Sequence, residues 1–394
     1  MPRVNLYVVG LTVLFVGLIS WFTSPAEAPE APAPPAEDAA LLEDIRQIEA
    51  GGLATPVVRQ GSDGAVSLTF LAKREGGSVP RVVSDVTGWG ERADGGFDFS
   101  VGAMTRVGRT DWYALEAPIE PGARIEYLIV YGATDYRLDA HNPRRVQRVG
   151  GPASEAVGPG YTPPLEFQDP PTSPAGAITE AVVASRAIGS PRRVIVYTPP
   201  GYRPGRRYPL AVFHDGDLMV NMGQAPRVID WLIAHRVIRP IVAVFVDPQS
   251  RAADYRRGAP MRSFVTEELL PWVARQYGVT ADAGERAIIG VSAGARGALD
   301  AAAASEAFGR LGMLIPALEA ADLDAIPPQG AHRLRVSIVA GTYDALNVAS
   351  ARAARATFAG RGHVVDFTEV PEGHATNTWR HHLRDVLASL FGDA

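Results

Sequence analysis

Residues 4–22 form 19 consecutive positions without a charge, preceded by Arg3 and followed by prolines set among alanine and glutamate. A membrane-spanning helix needs roughly 20 apolar residues, whereas the core of a cleaved signal sequence has roughly 7 to 15. The run lies at the long end. Ala26-Glu27-Ala28 offers a small-residue cleavage site, but Pro29 directly after the cut makes a poor junction. The pattern therefore favours a retained anchor in residues 1–23 over a removed signal, with both open, and predicts that the rest of the chain is exported. Pro25, Pro29, Pro32, Pro34 and Pro35 predict an extended, semi-rigid spacer within residues 24–58. Leu41, Leu42, Ile45 and Ile48 then recur at helical spacing before Gly51-Gly52, which predicts one short amphipathic helix over 39–50.

From residue 65 the period changes. Short apolar runs at 65–71, 81–84, 97–100, 111–115 and 124–131, separated by Gly, Asp and Pro turns, predict an all-β sandwich over 59–150. A proline-rich stretch at 159–174 marks a linker, taken as 151–177. Beyond it, strands at 193–197, 210–213, 241–246, 287–289, 313–315, 334–340 and 364–370 alternate with helices at 264–277, 293–304, 347–359 and 378–390. This alternation predicts an α/β domain over 178–394, a mostly parallel sheet covered by helices on both faces.

Composition narrows the chemistry. The 394 residues contain no cysteine, which excludes disulfides, thiolate metal sites, cysteine nucleophiles and lipid attachment to an N-terminal Cys. A net charge of −5 without Lys/Arg blocks excludes the electrostatic footprint of a nucleic-acid binder. Of the 38 basic residues only Lys73 is a lysine, a bias in which codon usage outweighs any need for guanidinium groups.

Gly290-Val291-Ser292-Ala293-Gly294 follows the apolar strand Ala287-Ile288-Ile289 and opens an alanine-rich helix. That is the context of a nucleophile elbow, a sharp strand-to-helix turn whose small neighbours let a strained serine project its hydroxyl. Serine needs a base, and the base needs an orienting carboxylate. Both follow in the order Ser, Asp, His. Strand 334–340 runs into Gly341-Thr342-Tyr343-Asp344, and strand 364–370 into Pro371-Glu372-Gly373-His374. The carboxyl ends of parallel strands share one side of a sheet, so Ser292, Asp344 and His374 are expected to converge. Asp344 also reads as a helix cap. Glu372 is a rival acid on the same loop as the base, too near it in sequence to reach behind the imidazole. His363, His381 and His382 read as packing or surface residues. For the oxyanion, backbone N–H donors are expected from Ala293 and from Gly216 or Asp217, in the turn after strand 210–213. His214, Asp215 and Asp217 crowd one turn too tightly for good metal geometry, so neither metal nor cofactor is expected.

Over residues 182–391 the chain resembles the esterase family of α/β-hydrolases that includes enterochelin esterases, esterase D-type enzymes, feruloyl esterases and mycolyltransferases. The resemblance rests on Val194-Ile195-Val196-Tyr197-Thr198-Pro199-Pro200-Gly201-Tyr202, Tyr208-Pro209-Leu210, His214-Asp215-Gly216, Thr266-Glu267-Glu268-Leu269-Leu270-Pro271-Trp272-Val273, the elbow, Gly373-His374 and Trp379-Arg380. It implies Ser292 as nucleophile, Asp344 as acid and His374 as base. Ala295 stands where the family commonly has a further glycine, and Pro316-Ala317-Leu318-Glu319 departs from the family where substrate is usually contacted. The sandwich resembles the early-set immunoglobulin-like domain of enterochelin esterases, through Val83-Ser84-Asp85-Val86-Thr87-Gly88-Trp89, Thr110-Asp111-Trp112-Tyr113 and Leu138-Asp139-Ala140-His141-Asn142-Pro143. In the siderophore esterases this domain helps shape the substrate site. Trp89 and Trp112 are candidates for a sugar-stacking platform, with sandwich core as the plainer reading.

The expected fold is an α/β-hydrolase domain preceded by a small immunoglobulin-like sandwich and an N-terminal apolar helix. The expected function is a serine hydrolase of small-molecule carboxylic esters, siderophore-type or glycan-linked esters among them, exported and tethered to a membrane where the helix is uncleaved. Acyl transfer to a sugar hydroxyl is the alternative within enzymes, and a catalytically inert surface carbohydrate-binding protein the alternative outside them. An anionic trilactone calls for arginines, with Arg251, Arg256, Arg257 and Arg296 as candidates.

Overall fold

The computed structural model describes residues 38–92, 96–328 and 332–392, so the apolar segment 4–22 and the proline spacer before residue 38 lie outside the described residues. Among the described residues, no helix is long and apolar enough to cross a membrane. The described chain divides into two units. The first takes the residues up to Thr162 together with Gly341–Leu346 and Val370–Thr376, and the second takes Pro163–Ala340, Asn347–Glu369 and the residues from Asn377 onward.

The first unit is built on the strands β1 (Val57–Gln60), β2 (Val66–Lys73), β3 (Pro80–Ser84), β4 (Thr105–Arg106), β5 (Trp112–Ile119), β6 (Arg124–Tyr131), β7 (Asp135–Arg137), β8 (Arg145–Arg148) and β9 (Gly151–Val157). They form two sheets, β1-β2-β5-β4 and β3-β6-β9-β8, with β7 paired to β6. Alternate residues fill the space between the sheets: Val66, Leu68 and Phe70 from β2, Tyr113, Leu115 and Ala117 from β5, and Ile125, Tyr127 and Ile129 from β6. This period of two is the signature of a sandwich core. The outer face of the first sheet is apolar as well, and the helix Asp38–Glu49 covers it, setting Leu41, Ile45 and Ile48 against Leu71, Trp112 and Ala114. Each such side chain contributes about 1.5–3 kcal/mol by leaving water.

Two expectations are corrected here. Residues 97–100 are not a strand: Phe99–Gly102 is a short 3-10 helix whose N-cap, Asp98, accepts a hydrogen bond from Ser100 N. Gly102 lies directly on the backbone of Val82, where a strand side chain has no room. Residues 151–157 are not linker either. They are β9, antiparallel to β6 and β8, and their buried residues Ala153, Ser154 and Ala156 are too small to give a hydrophobic signal.

The second unit holds the sheet β10 (Ala177–Val183), β11 (Arg192–Thr198), β12 (Leu210–His214), β13 (Val242–Val246), β14 (Arg286–Val291), β15 (Arg310–Leu314), β16 (Arg335–Gly341) and β17 (Val364–Val370), in the order β10-β11-β13-β12-β14-β15-β16-β17. From β13 through β16 the neighbours are parallel, while β10, β11 and β13 pair antiparallel. Every residue of β12 and β13 is buried, as expected of strands covered on both faces. The predicted helix 264–277 is broken into a wide π-type turn, Phe264–Leu269, and an α-helix, Leu270–Gln276, with Pro271 at the junction. A proline nitrogen cannot donate to the helix ladder, which accounts for the widened turn. β13 and β14 flank β12 on opposite sides, so the direction of chain progression reverses at β12. In open α/β sheets such a switch point opens a crevice beyond the carboxyl ends of the strands.

Candidate active site

β12 and β14, the two strands at that switch point, end in the residues proposed for the nucleophile and the oxyanion donors. Ser292 follows β14 with φ of 54° and ψ of −122°, a conformation that costs a non-glycine residue on the order of 1–3 kcal/mol. Its N–H donates to Leu314 O at 3.0 Å, and its C=O accepts from Ala295 N at 3.0 Å, so the turn is held on both sides. The flanking glycines are steric necessities. A Cβ on Gly290 would lie 2.1 Å from Gly294 O, and one on Gly294 would lie 2.6 Å from Asp215 Oδ2. Ala293 opens the helix Ala293–Ala304, where backbone N–H groups are oriented towards an anion.

Gly216 and Asp217 open the short helix Gly216–Asn221 after β12. Gly216 is pressed against the backbone of Phe245 and Val246. The Asp217 amide, an expected oxyanion donor, is instead engaged by Asp247 Oδ1 at 2.6 Å. This removes Asp217 from the candidates and leaves Ala293 and Gly216.

The residue before that helix, Asp215, sits in the left-handed region with φ of 56°. Its carboxylate accepts a two-pronged hydrogen bond from Arg251, at 2.8 and 2.9 Å, and a third bond from the Tyr255 hydroxyl at 3.1 Å. Burial nevertheless holds this carboxyl above the ordinary carboxylate range. Arg251 also donates to Val291 O at 3.1 Å, so one guanidinium ties the turn after β12 to the residue preceding Ser292. His214 is buried and stacks on Tyr255 with ring centroids 4.7 Å apart. Burial lowers its pKa to about 4, so it is neutral under ordinary conditions.

Asp344 and His374 fall in the first unit. His374 Nδ1 lies 2.6 Å from Asp344 Oδ2, so the structure brings the expected acid and base together. Glu372, the rival acid, is taken up elsewhere: its carboxylate accepts from Arg124 Nε and Nη2 at 2.9 and 2.7 Å. Sequence reading gave no hint of Arg124, which opens β6 like any polar strand-end residue yet has a fully buried side chain.

Residues 185–390, more than half of the chain, match the model of the family described as "Putative esterase". The chain belongs to this esterase family. Its enzyme class is accordingly that of the carboxylic ester hydrolases. Among solved structures, the esterase is similar to ferric enterobactin esterase from Salmonella typhimurium, with a TM-score of 0.69 and 20% identity over 85% of this chain and 96% of that one. It is also similar to enterochelin esterase from Shigella flexneri, with a TM-score of 0.65 and 19% identity over 87% of this chain and 96% of that one. The enterobactin esterase of Shigella flexneri determined in the presence of enterobactin matches with a TM-score of 0.65 and 19% identity, covering 86% and 96%. At these identities the likeness is one of fold, and the fold is that of the α/β-hydrolases.

His363, His382, Trp112 and Trp89 have local partners. His363 accepts from Leu334 N at 3.1 Å and meets Pro327 O at 3.0 Å, and His382 pairs with Asp385 at 3.1 Å. Trp112 is buried under the helix Asp38–Glu49 and donates to Glu49 Oε1 at 3.1 Å. The Trp89 ring is covered by the Arg148 guanidinium at 4.2 Å and donates to Asp85 Oδ1 at 2.9 Å. Neither ring is an open sugar platform. Three of the four arginines considered for an anionic substrate are also committed: Arg251 to Asp215, Arg296 to Glu319 and Asp322, and Arg257 to Ala321 O.

Proposed function

We propose that the esterase cleaves small-molecule carboxylic esters through an acyl-enzyme on Ser292. The observation that carries this reading is the strained backbone of Ser292 at the head of a helix beyond the switch point of the sheet, a cost a merely structural serine has no reason to bear. In the proposed reaction the Ser292 hydroxyl oxygen bonds to the ester carbonyl carbon as its proton passes to His374 Nε2. Asp344 holds the imidazole through Nδ1 and stabilises the cation that forms. The N–H groups of Ala293 and Gly216 take the oxyanion. The imidazolium returns its proton to the leaving alcohol, and water, deprotonated by the same imidazole, releases the acid and regenerates the serine.

On the substrate side, the internal engagement of Arg251, Arg257 and Arg296 weighs against a strongly anionic ester held by those three groups. The reading therefore commits to a small, weakly charged ester, with the siderophore trilactones of the structural relatives as the class to test beside it. The proposal also keeps an exported enzyme, on the strength of the apolar segment 4–22 alone.

The deciding experiment measures hydrolysis of a short aryl ester and fluorophosphonate labelling by the purified protein and by Ser292→Ala. The expected result is turnover and labelling in the parent and neither in a folded Ser292→Ala. Equal hydrolysis by both proteins would sink the proposal. Feruloyl and ferric trilactone esters, and products formed with added glycerol or trehalose, then define the acyl group and separate hydrolysis from transfer.

A further inference from the structure

The loops bearing Asp344 and His374 lie, in sequence, inside the region that defines the esterase family, yet in space they belong to the first unit with the sandwich. The contacts show how. Each of the three residues before His374 is fixed by the sandwich. Pro371 O accepts from Arg124 N at 3.1 Å. The Glu372 carboxylate accepts from the Arg124 side chain at 2.9 and 2.7 Å. Gly373 is pressed so closely on Asp85 that a Cβ there would lie 2.0 Å from Asp85 Oδ1. The acid loop is held from the same hairpin. Thr342 Oγ1 donates to Glu120 Oε1 at 2.6 Å, and the Tyr343 hydroxyl accepts from Glu120 N at 2.7 Å. The two loops are also bonded to each other, through Tyr343 N to Glu372 O at 3.1 Å.

We infer that the turn joining β5 to β6, through Glu120 and Arg124, positions the Asp344–His374 pair, and that Arg124 and Glu372 are positioning residues for the reaction proposed above, on which this inference rests. Arg124 suits the role. Its guanidinium is wholly out of water, and besides Glu372 it bonds Glu126 Oε1 at 2.9 Å and Glu155 Oε1 at 3.3 Å. A planar fork with every partner fixed has one orientation, and that orientation sets where Glu372 and the residue two positions on can lie. Misplacing a reacting group by about 1 Å costs on the order of 100-fold in rate, so a loop held this firmly bears directly on turnover.

The test compares Glu372→Gln, Arg124→Lys and Tyr343→Phe with the parent, at a temperature where circular dichroism shows each variant folded. Tyr343→Phe keeps its ring in the core and removes only the acceptor for Glu120 N, so it serves where the two ion-pair variants fail to fold. The expected result is a fall in kcat of about 10- to 100-fold for Glu372→Gln and Arg124→Lys, and at least about threefold for Tyr343→Phe, with KM within about twofold. In Arg124→Lys and Tyr343→Phe, which change no charge, the acid limb of the kcat/KM profile should move to lower pH, because an imidazole loosened from Asp344 loses the partner of its charged form. A purely structural cluster would lower the melting temperature and leave kcat and the acid limb of the folded protein unchanged, and that result overturns the inference. Ser292→Ala run alongside separates the two failures. If it remains active, the serine mechanism falls and positioning with it. If it is dead while the folded variants match the parent, positioning alone falls.

Discussion

Nδ1 of His374 lies 2.6 Å from Oδ2 of Asp344, and the two groups are unequally exposed, the imidazole side chain at 31% and the carboxylate at 5%. The carboxylate is out of water, and the imidazole is the member of the pair that solvent can reach. A buried carboxylate accepting from Nδ1–H leaves Nε2 as the proton acceptor. Asp344→Asn preserves shape but abolishes the charge that fixes this tautomer. It should lower kcat by about 10³- to 10⁴-fold on a short aryl ester, with little change in KM or melting temperature. A loss smaller than tenfold would assign the orienting role to another carboxylate.

The strain at Ser292 makes a second prediction, one about stability. At φ 54° and ψ −122° a Cβ is unwelcome, whereas glycine occupies the region freely. Ser292→Ala keeps the Cβ and therefore the strain. Ser292→Gly releases it, and should unfold at higher urea concentration than Ser292→Ala by about 1–2 kcal/mol, the relief being offset in part by the entropy of a new glycine. Equal stability of the two variants would mean that the turn is not under load.

The strained turn at Ser292 was legible because its parts are local: strand, two obligatory glycines, serine and helix are contiguous. Asp344 and His374 were singled out from their places after successive strands, and the structure sets their side chains 2.6 Å apart. What holds them was not, because Arg124 and Glu372 are 248 positions apart, and in their own segments Arg124 looks like a solvated strand-end charge and Glu372 like a rival acid. The same distance in sequence hid the partner of the helix Asp38–Glu49, whose apolar stripe was plain while the sheet face it covers was not. The Asp217 amide was misassigned for a related reason. A backbone donor in a turn reads as free until Asp247, 30 residues on, is seen to take it.

Asp85 gives the sandwich a pH dependence of its own. Desolvation, followed by the neighbouring Glu126, pushes its carboxyl up to about 7 although Trp89 Nε1 and Glu126 N both donate to it. The folded state thus keeps a proton that the unfolded chain has already lost. The resulting stability is complete below the ordinary carboxylate pKa and is lost as pH rises through about 7. Asp85→Asn cannot ionise. Whatever its offset from the parent at pH 5, its unfolding free energy should gain on the parent's steadily up to pH 8. Parallel curves for the two proteins would show that Asp85 titrates normally.

His214 acts with the opposite sign. Its imidazole, lowered to about 4 by burial, stays neutral in the folded protein while the unfolded chain binds a proton below about 6.5. Stability from this group is present above the unfolded pKa and is lost as pH falls from there towards 4. His214→Leu, similar in volume and without polar atoms, escapes this penalty but gives up the stack on Tyr255. Urea unfolding at pH 8, 6.5 and 5 should therefore show the difference between variant and parent moving in the variant's favour at each step down in pH. A constant difference would mean that His214 binds its proton equally in the folded and unfolded states.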